Sequence, residues 1–213
     1  MKIQTFTVNP FAENTYLLYN DSGAAVVFDP GFMSSEECRA FDGFVSEQKL
    51  QLSRCLQTHC HIDHILGVHY INTKYGLTSE LHSLEQSVME SGRQVSSMYG
   101  LPYTEGTFAK EHIIENTKIT VGNSTCDVLF TPGHSPGSVC FYFEKEGVLI
   151  AGDLIFQGSI GRTDLPGGNH ETLLESVKKN IFVLPDDTVI YPGHGNPTTI
   201  KEEKKYNPFL QAL

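Results

Sequence analysis

Two runs of short apolar strands, each interleaved with amphipathic helical segments, predict an α/β layer protein in which two sheets pack together under outer helices. The 213 residues contain no Gly/Ser or Pro tract, charge block, internal repeat or low-complexity segment that reads as a linker. Residues 1–213 are therefore expected to form a single domain, long enough to bury a core without disulfides.

The first run opens with IQTFTVN and NTYLLYN, two β-rich segments around the turn PFAE. AAVVFDPG is a third strand, stopped by Pro30 and Gly31. SSEECRAFDGFVSEQK begins on serine caps and keeps helical spacing through Phe41, Phe44 and Val45. The strand LSRCLQT follows, and from His64 the segment HILGVHYINTKYG is helical, with Gly76 as its stop. TSELH is a strand, SLEQSVMES a helix, and residues 92–117 show no clear period. The second run comprises the strands KITV, CDVLFTPG, SVCFYFEK and VLIAGDLIF, the helix HETLLESVKKNIFVL, the strand DTVIYPG and a last helix, TIKEEKKYNPFL. Functional side chains are expected on the loops that leave these strands.

Composition narrows the function. Lys and Arg total 15 against 25 Asp and Glu, a net charge of −10 that repels phosphate backbones, so no nucleic-acid partner is expected. MKIQTFTVNP has no apolar run resembling a signal peptide, and no later stretch approaches membrane-spanning length. Cys38, Cys55, Cys60, Cys126 and Cys140 are an odd set without CxxC spacing, which fits a reducing compartment. The expectation is a soluble cytoplasmic protein with no membrane partner.

The densest chemistry lies in THCHIDH, residues 58–64. His59 and His61 are two apart, so an extended segment points both the same way, and Asp63 and His64 follow where strand turns into helix. These four potential ligands exceed what one ion takes from so tight a segment, so further ligands are expected elsewhere. His134 in FTPGHSPGSV, Asp153 in LIAGDL and His194 in VIYPGHG each follow an apolar strand and sit beside glycine, which permits close backbone approach. Cys60 points opposite to His59 and His61 in an extended segment and reads as a packing residue. Asp29, in VVFDPG, reads from the residues alone as a cap for the turn made by Pro30 and Gly31.

With HxHxDH, then His, Asp and His in order, and with NTYLL and FDPG ahead of them, the sequence resembles the metallo-β-lactamase-fold hydrolases. The resemblance implies an αββα sandwich of two mixed β-sheets with outer helices. It implies that His59, His61 and His134 hold one metal, that Asp63, His64 and His194 hold a second, and that Asp153 bridges them. It also gives Asp29 a second reading beside the turn cap, as a partner lying under the metal loop. Nitrogen and oxygen donors without a required thiolate suit two divalent ions, with zinc expected and iron or manganese able to take the same ligands. Two carboxylates and one hydroxide leave such a pair with residual positive charge, which favours an anionic substrate.

GSIGRTDLPGGN and the ending GHGNPTTIKEEKKYNPFL resemble the single-domain glyoxalase II-like branch of that superfamily. The implied activity is hydrolysis of a small-molecule thioester, an S-2-hydroxyacyl thiol such as S-lactoylglutathione, with Asp63, Asp153 and Arg162 as catalytic residues. Full glyoxalase II enzymes continue into a helical domain that contacts glutathione, and that C-terminal domain is expected to be absent here. Arg162, or Lys201, Lys204 or Lys205, would then supply anion contacts. Two alternatives remain open. Persulfide dioxygenases share the fold and a GRTD segment but use one iron held by two His and one Asp, and they continue differently from LPGG. A binding-only fold would have lost ligands that are all present here. Oligomeric state is not legible in the sequence.

Overall fold

The computed structural model describes residues 1–109, 113, 115–121 and 124–211. Strands β1 (Lys2–Val8), β2 (Glu13–Tyr19) and β3 (Ala24–Phe28) form an antiparallel meander. Helix α1 (Ser35–Glu47) starts on a reciprocal cap in which the Ser34 hydroxyl accepts from the Glu37 amide and Glu37 accepts from the Ser34 amide. It crosses over to β4 (Gln51–Leu56), which lies parallel to β3 and is followed by the parallel edge strand β5 (Ser79–Glu80). The first sheet thus has the order β1-β2-β3-β4-β5.

Strands β6 (Lys118–Val121), β7 (Ser124–Phe130), β8 (Val139–Phe143) and β9 (Val148–Gly152) form a second meander. After a two-stranded ribbon, β10 (Ile155–Phe156) with β11 (Ser159–Ile160), and helix α5 (His170–Ser176), the chain returns as β12 (Val189–Pro192), parallel to β9. β13 (Thr198–Thr199) closes the edge, giving β13-β12-β9-β8-β7-β6, and leads into α6 (Ile200–Tyr206).

Alternation along the strands assigns each side chain to a layer. Tyr16, Leu18, Val26 and Phe28 of the first sheet meet Val128, Phe141, Phe143 and Ile150 of the second, a buried middle layer in which the Phe28 and Phe141 rings meet edge-on at 5.1 Å. The neighbouring positions point outward. Leu17, Ala25 and Val27 pack on Phe41 and Val45 of α1, while Cys140, Tyr142 and Leu149 pack on Leu173, Val177 and Ile200. Two mixed sheets under helices on both outer faces make the αββα sandwich that the resemblance implied. Among the described residues no helix is long and apolar enough to cross a membrane.

Three segments differ from the expectation. The helix from His64 is split into α2 (Ile62–Ile65) and α3 (Val68–Tyr75), because Gly67 is pressed against the loop after β3. Its amide donates to the Pro30 carbonyl at 2.8 Å, and a Cβ there would lie 2.8 Å from the Phe32 nitrogen. The helix expected to end at Ser91 begins as a 3₁₀ turn (Ser83–Glu85) and continues as α4 (Gln86–Tyr99), so the segment after residue 91 is partly helical. Serines and Gly92 dilute its apolar face, yet Val88 and Val95 both pack inward on the cluster beneath α2. VLIAGDLIF is not one strand: β9 stops at Gly152 and Asp153 occupies the turn before β10.

Candidate metal centre

The loops after β4, β7, β9 and β12 converge on one point. After β4 the chain runs through Gln57–Cys60 and turns into α2 at His61, whose φ of −62° and ψ of 152° are extended. His134 stands in the β7–β8 loop, Asp153 after β9 and His194 after β12. The candidate donor atoms of His59, His61 and His134 lie within 4.8 Å of one another, and so do those of Asp63, His64 and His194.

Hydrogen bonds on the far side of four of the five rings fix their tautomers. The Thr58 hydroxyl donates to Asp29 Oδ2 at 2.6 Å and so accepts from His59 Nδ1 at 3.1 Å, leaving the His59 Nε2 lone pair free. His134 Nδ1 donates to the Arg162 carbonyl at 2.8 Å, which likewise frees Nε2. That atom lies 3.2 Å from His59 Nε2 and 2.8 Å from His61 Nδ1. In the other trio His64 Nδ1 donates to Asp29 Oδ2 at 3.2 Å and His194 Nδ1 to the Phe11 carbonyl at 3.0 Å. Their Nε2 atoms face Asp63 Oδ2 at 3.7 and 3.1 Å.

Asp153 spans both trios. Its Oδ1 lies 3.4 Å from His64 Nε2, and its Oδ2 is 3.5 Å from both His134 Nε2 and His194 Nε2. Gly193 makes room, since a Cβ there would collide with Asp153 Oδ1 and His64 Cε1.

The donor set fits divalent cations. His64 Nε2 and Asp153 Oδ1 are buried and make no hydrogen bond among the described residues, a costly arrangement unless a cation accepts both lone pairs. Burial, with the charge of its neighbours His64 and His134, holds the His59 imidazole well below its usual range; burial and His134 take His61 down to about 3. His59 and His61 are therefore neutral, as ligands must be. At His64 burial works against the charged form, but Asp63 and Asp153 outweigh it and carry the group well above its usual value. At His194 burial is likewise outweighed by hydrogen bonds to Asp153 and Asp63, reaching about 9. The second trio sits in an excess of negative charge that calls for a positive partner.

A third trio, Asp29, His59 and His64, meets the same distance criterion. Asp29 is nevertheless engaged from the other side: Oδ1 accepts from the Thr58 amide at 2.7 Å, and Oδ2 from the Thr58 hydroxyl and His64. It lies beneath the histidine loop as a buttress. Cys60 lies away from both trios, in the apolar cluster with Ile62, Ile65 and Leu81.

Two buried carboxylates escaped the sequence reading. Glu13, fully buried, accepts from the Thr15 hydroxyl and lies 3.8 Å from His64 Nδ1; burial pushes its carboxyl well up. Glu85 is also fully buried, and it joins two histidine loops. Its Oε2 accepts from the Cys60 amide at 2.7 Å, and its Oε1 from the Ser135 hydroxyl and the Gly137 amide, both at 2.6 Å. No periodicity links residues so far apart in the chain. Glu85→Gln places an amide N–H against one of these donors, so metal affinity at the first trio is expected to fall about ten- to a hundredfold while the second trio keeps its ion. Chelator competition on the zinc-loaded protein measures this, and parallel loss from both trios would show a merely global defect.

Arg162 is 57% exposed, with Nε and Nη2 each 2.7 Å from the Asp164 carboxylate. Its carbonyl, not its guanidinium, reaches the centre. Lys204 pairs with Asp186 and Lys205 lies over the Tyr206 ring; neither these nor Lys201 lines the cleft above the trios. That cleft has a volume of about 880 Å³, with Asp63, Asp153 and His194 at its floor and α4 along one wall.

Comparison with known proteins places this geometry. The profile of the Metallo-beta-lactamase superfamily matches residues 8–194. A probable metallo-hydrolase of Bacillus subtilis, YqgX, is 36% identical over 100% of this chain and 99% of its own. The hydroxyacylglutathione hydrolase GloC of Haemophilus influenzae is 32% identical with the same coverage. Among solved structures, the B3 metallo-beta-lactamase BLEG-1 superposes with a TM-score of 0.90 at 39% identity, covering 98% of this chain and 99% of that one. TTHA1623 in a di-iron-bound form gives 0.87 at 33% identity, covering 97% and 100%.

Proposed function

We propose that this chain, which belongs to the metallo-beta-lactamase superfamily, is a dinuclear metal-dependent hydrolase of thioesters, with S-2-hydroxyacyl thiols such as S-lactoylglutathione as its substrate class. The observation that carries the reading is Asp153, one carboxylate facing imidazole nitrogens of both trios. Kinship to GloC supports the thioester, at 32% identity over the whole chain.

His59, His61 and His134 would hold one ion, Asp63, His64 and His194 the other, and Asp153 both. Zinc is our assignment; the di-iron form of TTHA1623 keeps iron in view, and manganese suits the same donors. Such a pair supplies, when bound, a hydroxide at neutral pH and a Lewis acid for the acyl carbonyl. The protein's own contribution is preorganisation. Far-side hydrogen bonds hold four of the imidazoles in one tautomer, and the lone pairs need no rearrangement during the reaction. Asp63 and Asp153 are the carboxylates on the cleft floor where the acyl carbon would sit, and Arg162 stands at the rim. A thiol has a pKa of about 8.5, so the leaving group departs as thiolate without a dedicated acid. We place the activity in one domain and in the cytoplasm, which the five unpaired cysteines support.

The test is metal analysis of the purified protein alongside turnover of S-lactoylglutathione, a persulfide and a β-lactam. About two ions per chain with thioester turnover is the expected result. A single iron with oxygen consumption on the persulfide would replace the proposal.

A further inference from the structure

The cleft carries information about the half of the substrate that does not react. Its α4 wall presents Val88, Val95 and Met98, and the opposite wall presents Phe156, Ile160 and Leu165. At the mouth the Phe11 and Tyr99 rings meet edge-on at 5.5 Å. Met98 is 76% exposed and Tyr99 56%, so large apolar groups face water beside the candidate centre.

Charge is scarce above the floor. Arg162 is the one Lys or Arg among the lining residues, all of which are described, and its Nε and Nη2 both bond the Asp164 carboxylate. A glutathione arm brings two carboxylates and an ammonium group, and against them the walls set only Ser87, Ser91, Gln94, Ser159 and the Asp164-paired Arg162, too little to repay their desolvation. An apolar arm meets the opposite situation, because both walls gain by being covered.

Resting on the thioesterase reading, we infer that the substrate's non-reacting arm is an uncharged, hydrocarbon-rich chain, held between α4 and the segment from Phe156 to Leu165. The acyl carbonyl sits at the floor and the arm runs toward Phe11 and Tyr99. S-lactoylglutathione would then be a serviceable but poor substrate, with a KM near the upper end of the usual range of about 1 μM to 1 mM.

The experiment compares lactoyl thioesters of ethanethiol, butanethiol, hexanethiol and glutathione on the metal-loaded protein, together with calorimetric binding of the corresponding non-hydrolysable S-alkyl thioethers. Each added methylene is expected to raise kcat/KM by about two- to fourfold, the upper figure corresponding to about 0.8 kcal/mol per buried methylene. Val95→Lys sets a cation into the α4 wall, and the hexyl-to-glutathione preference is expected to shift by at least about tenfold toward glutathione. That ratio is insensitive to how much protein folds. A glutathione thioester preferred tenfold over the hexyl thioester, or a flat chain-length series, would overturn the inference and leave the thioesterase reading standing. If every thioester is inert, the thioesterase reading fails, and thioether binding still decides the cleft: tightening with chain length supports an apolar occupant, and flat binding rejects it.

Discussion

Asp153→Ala is expected to lower kcat/KM for a hydrolysed thioester by roughly a thousandfold, about 4 kcal/mol, and to leave fewer than two ions per chain. The magnitude follows from position. Among the described residues Asp153 is the one carboxylate that approaches His64, His134 and His194 together, at 3.4 to 3.5 Å. No neighbour can replace it: Asp63 Oδ2 faces His194 and His64, and Asp29 is turned away onto Thr58. Without that carboxylate no shared side chain would set the spacing of ions at the two donor groups, and a reacting carbonyl would lose its place between them. The substitution also removes a carboxylate donor, and its attraction for a cation, from between the two trios, so a fall in metal content should accompany the fall in rate. Metal analysis and steady-state kinetics on the same preparation check both. A near-normal rate at full metal content would remove Asp153 from the bridging role.

The placement of the seven candidate ligands was legible because chemistry and local geometry coincide there. His59 and His61 follow β4, Asp63 and His64 lie in the short helix it feeds, and His134, Asp153 and His194 stand in the loops after β7, β9 and β12, while alternation alone aims His59 and His61 together. The supporting residues were hidden for the opposite reason. Glu85 reaches Ser135 across 50 positions and Asn14 reaches the Pro192 carbonyl across 178, and no short-range pattern encodes such pairs. Asn14 was quoted only within NTYLL; in the fold its amide also donates to the Gly195 carbonyl at 2.8 Å, which holds the His194 loop to β2. The far end of α4 was lost because its apolar positions alternate with serines and a glycine, so tertiary packing rather than periodicity makes it a helix. Arg162 was legible as a residue near the site but not as a paired one, since its fork with Asp164 depends on how the loop folds back.

Asp29→Asn is expected to weaken metal binding at the second trio by about ten- to a hundredfold, with a proportionate loss of activity at limiting metal. Asparagine isolates the chemistry from the backbone, because Asp29 has a φ of +47° and asparagine tolerates that left-handed conformation where most side chains are strained. Both native oxygens accept: Oδ1 from the Thr58 amide, Oδ2 from the Thr58 hydroxyl and His64 Nδ1. An amide keeps one acceptor and turns the other into a donor. If its N–H₂ faces Thr58 and His64, the hydroxyl must rotate away and Nδ1 is left opposite a donor. The His64 proton then moves to Nε2, which fills the lone pair aimed at Asp63 and Asp153 and excludes a cation. If the amide is flipped, the clash falls on the Thr58 backbone N–H and the loop carrying His59 shifts instead. Either route penalises the centre through a residue that would touch neither ion nor substrate. Nitrogen chemical shifts of the His64 ring, read beside chelator-competition affinities, test this. Unchanged affinity with the His64 proton still on Nδ1 would show that Asp29 supports the turn alone.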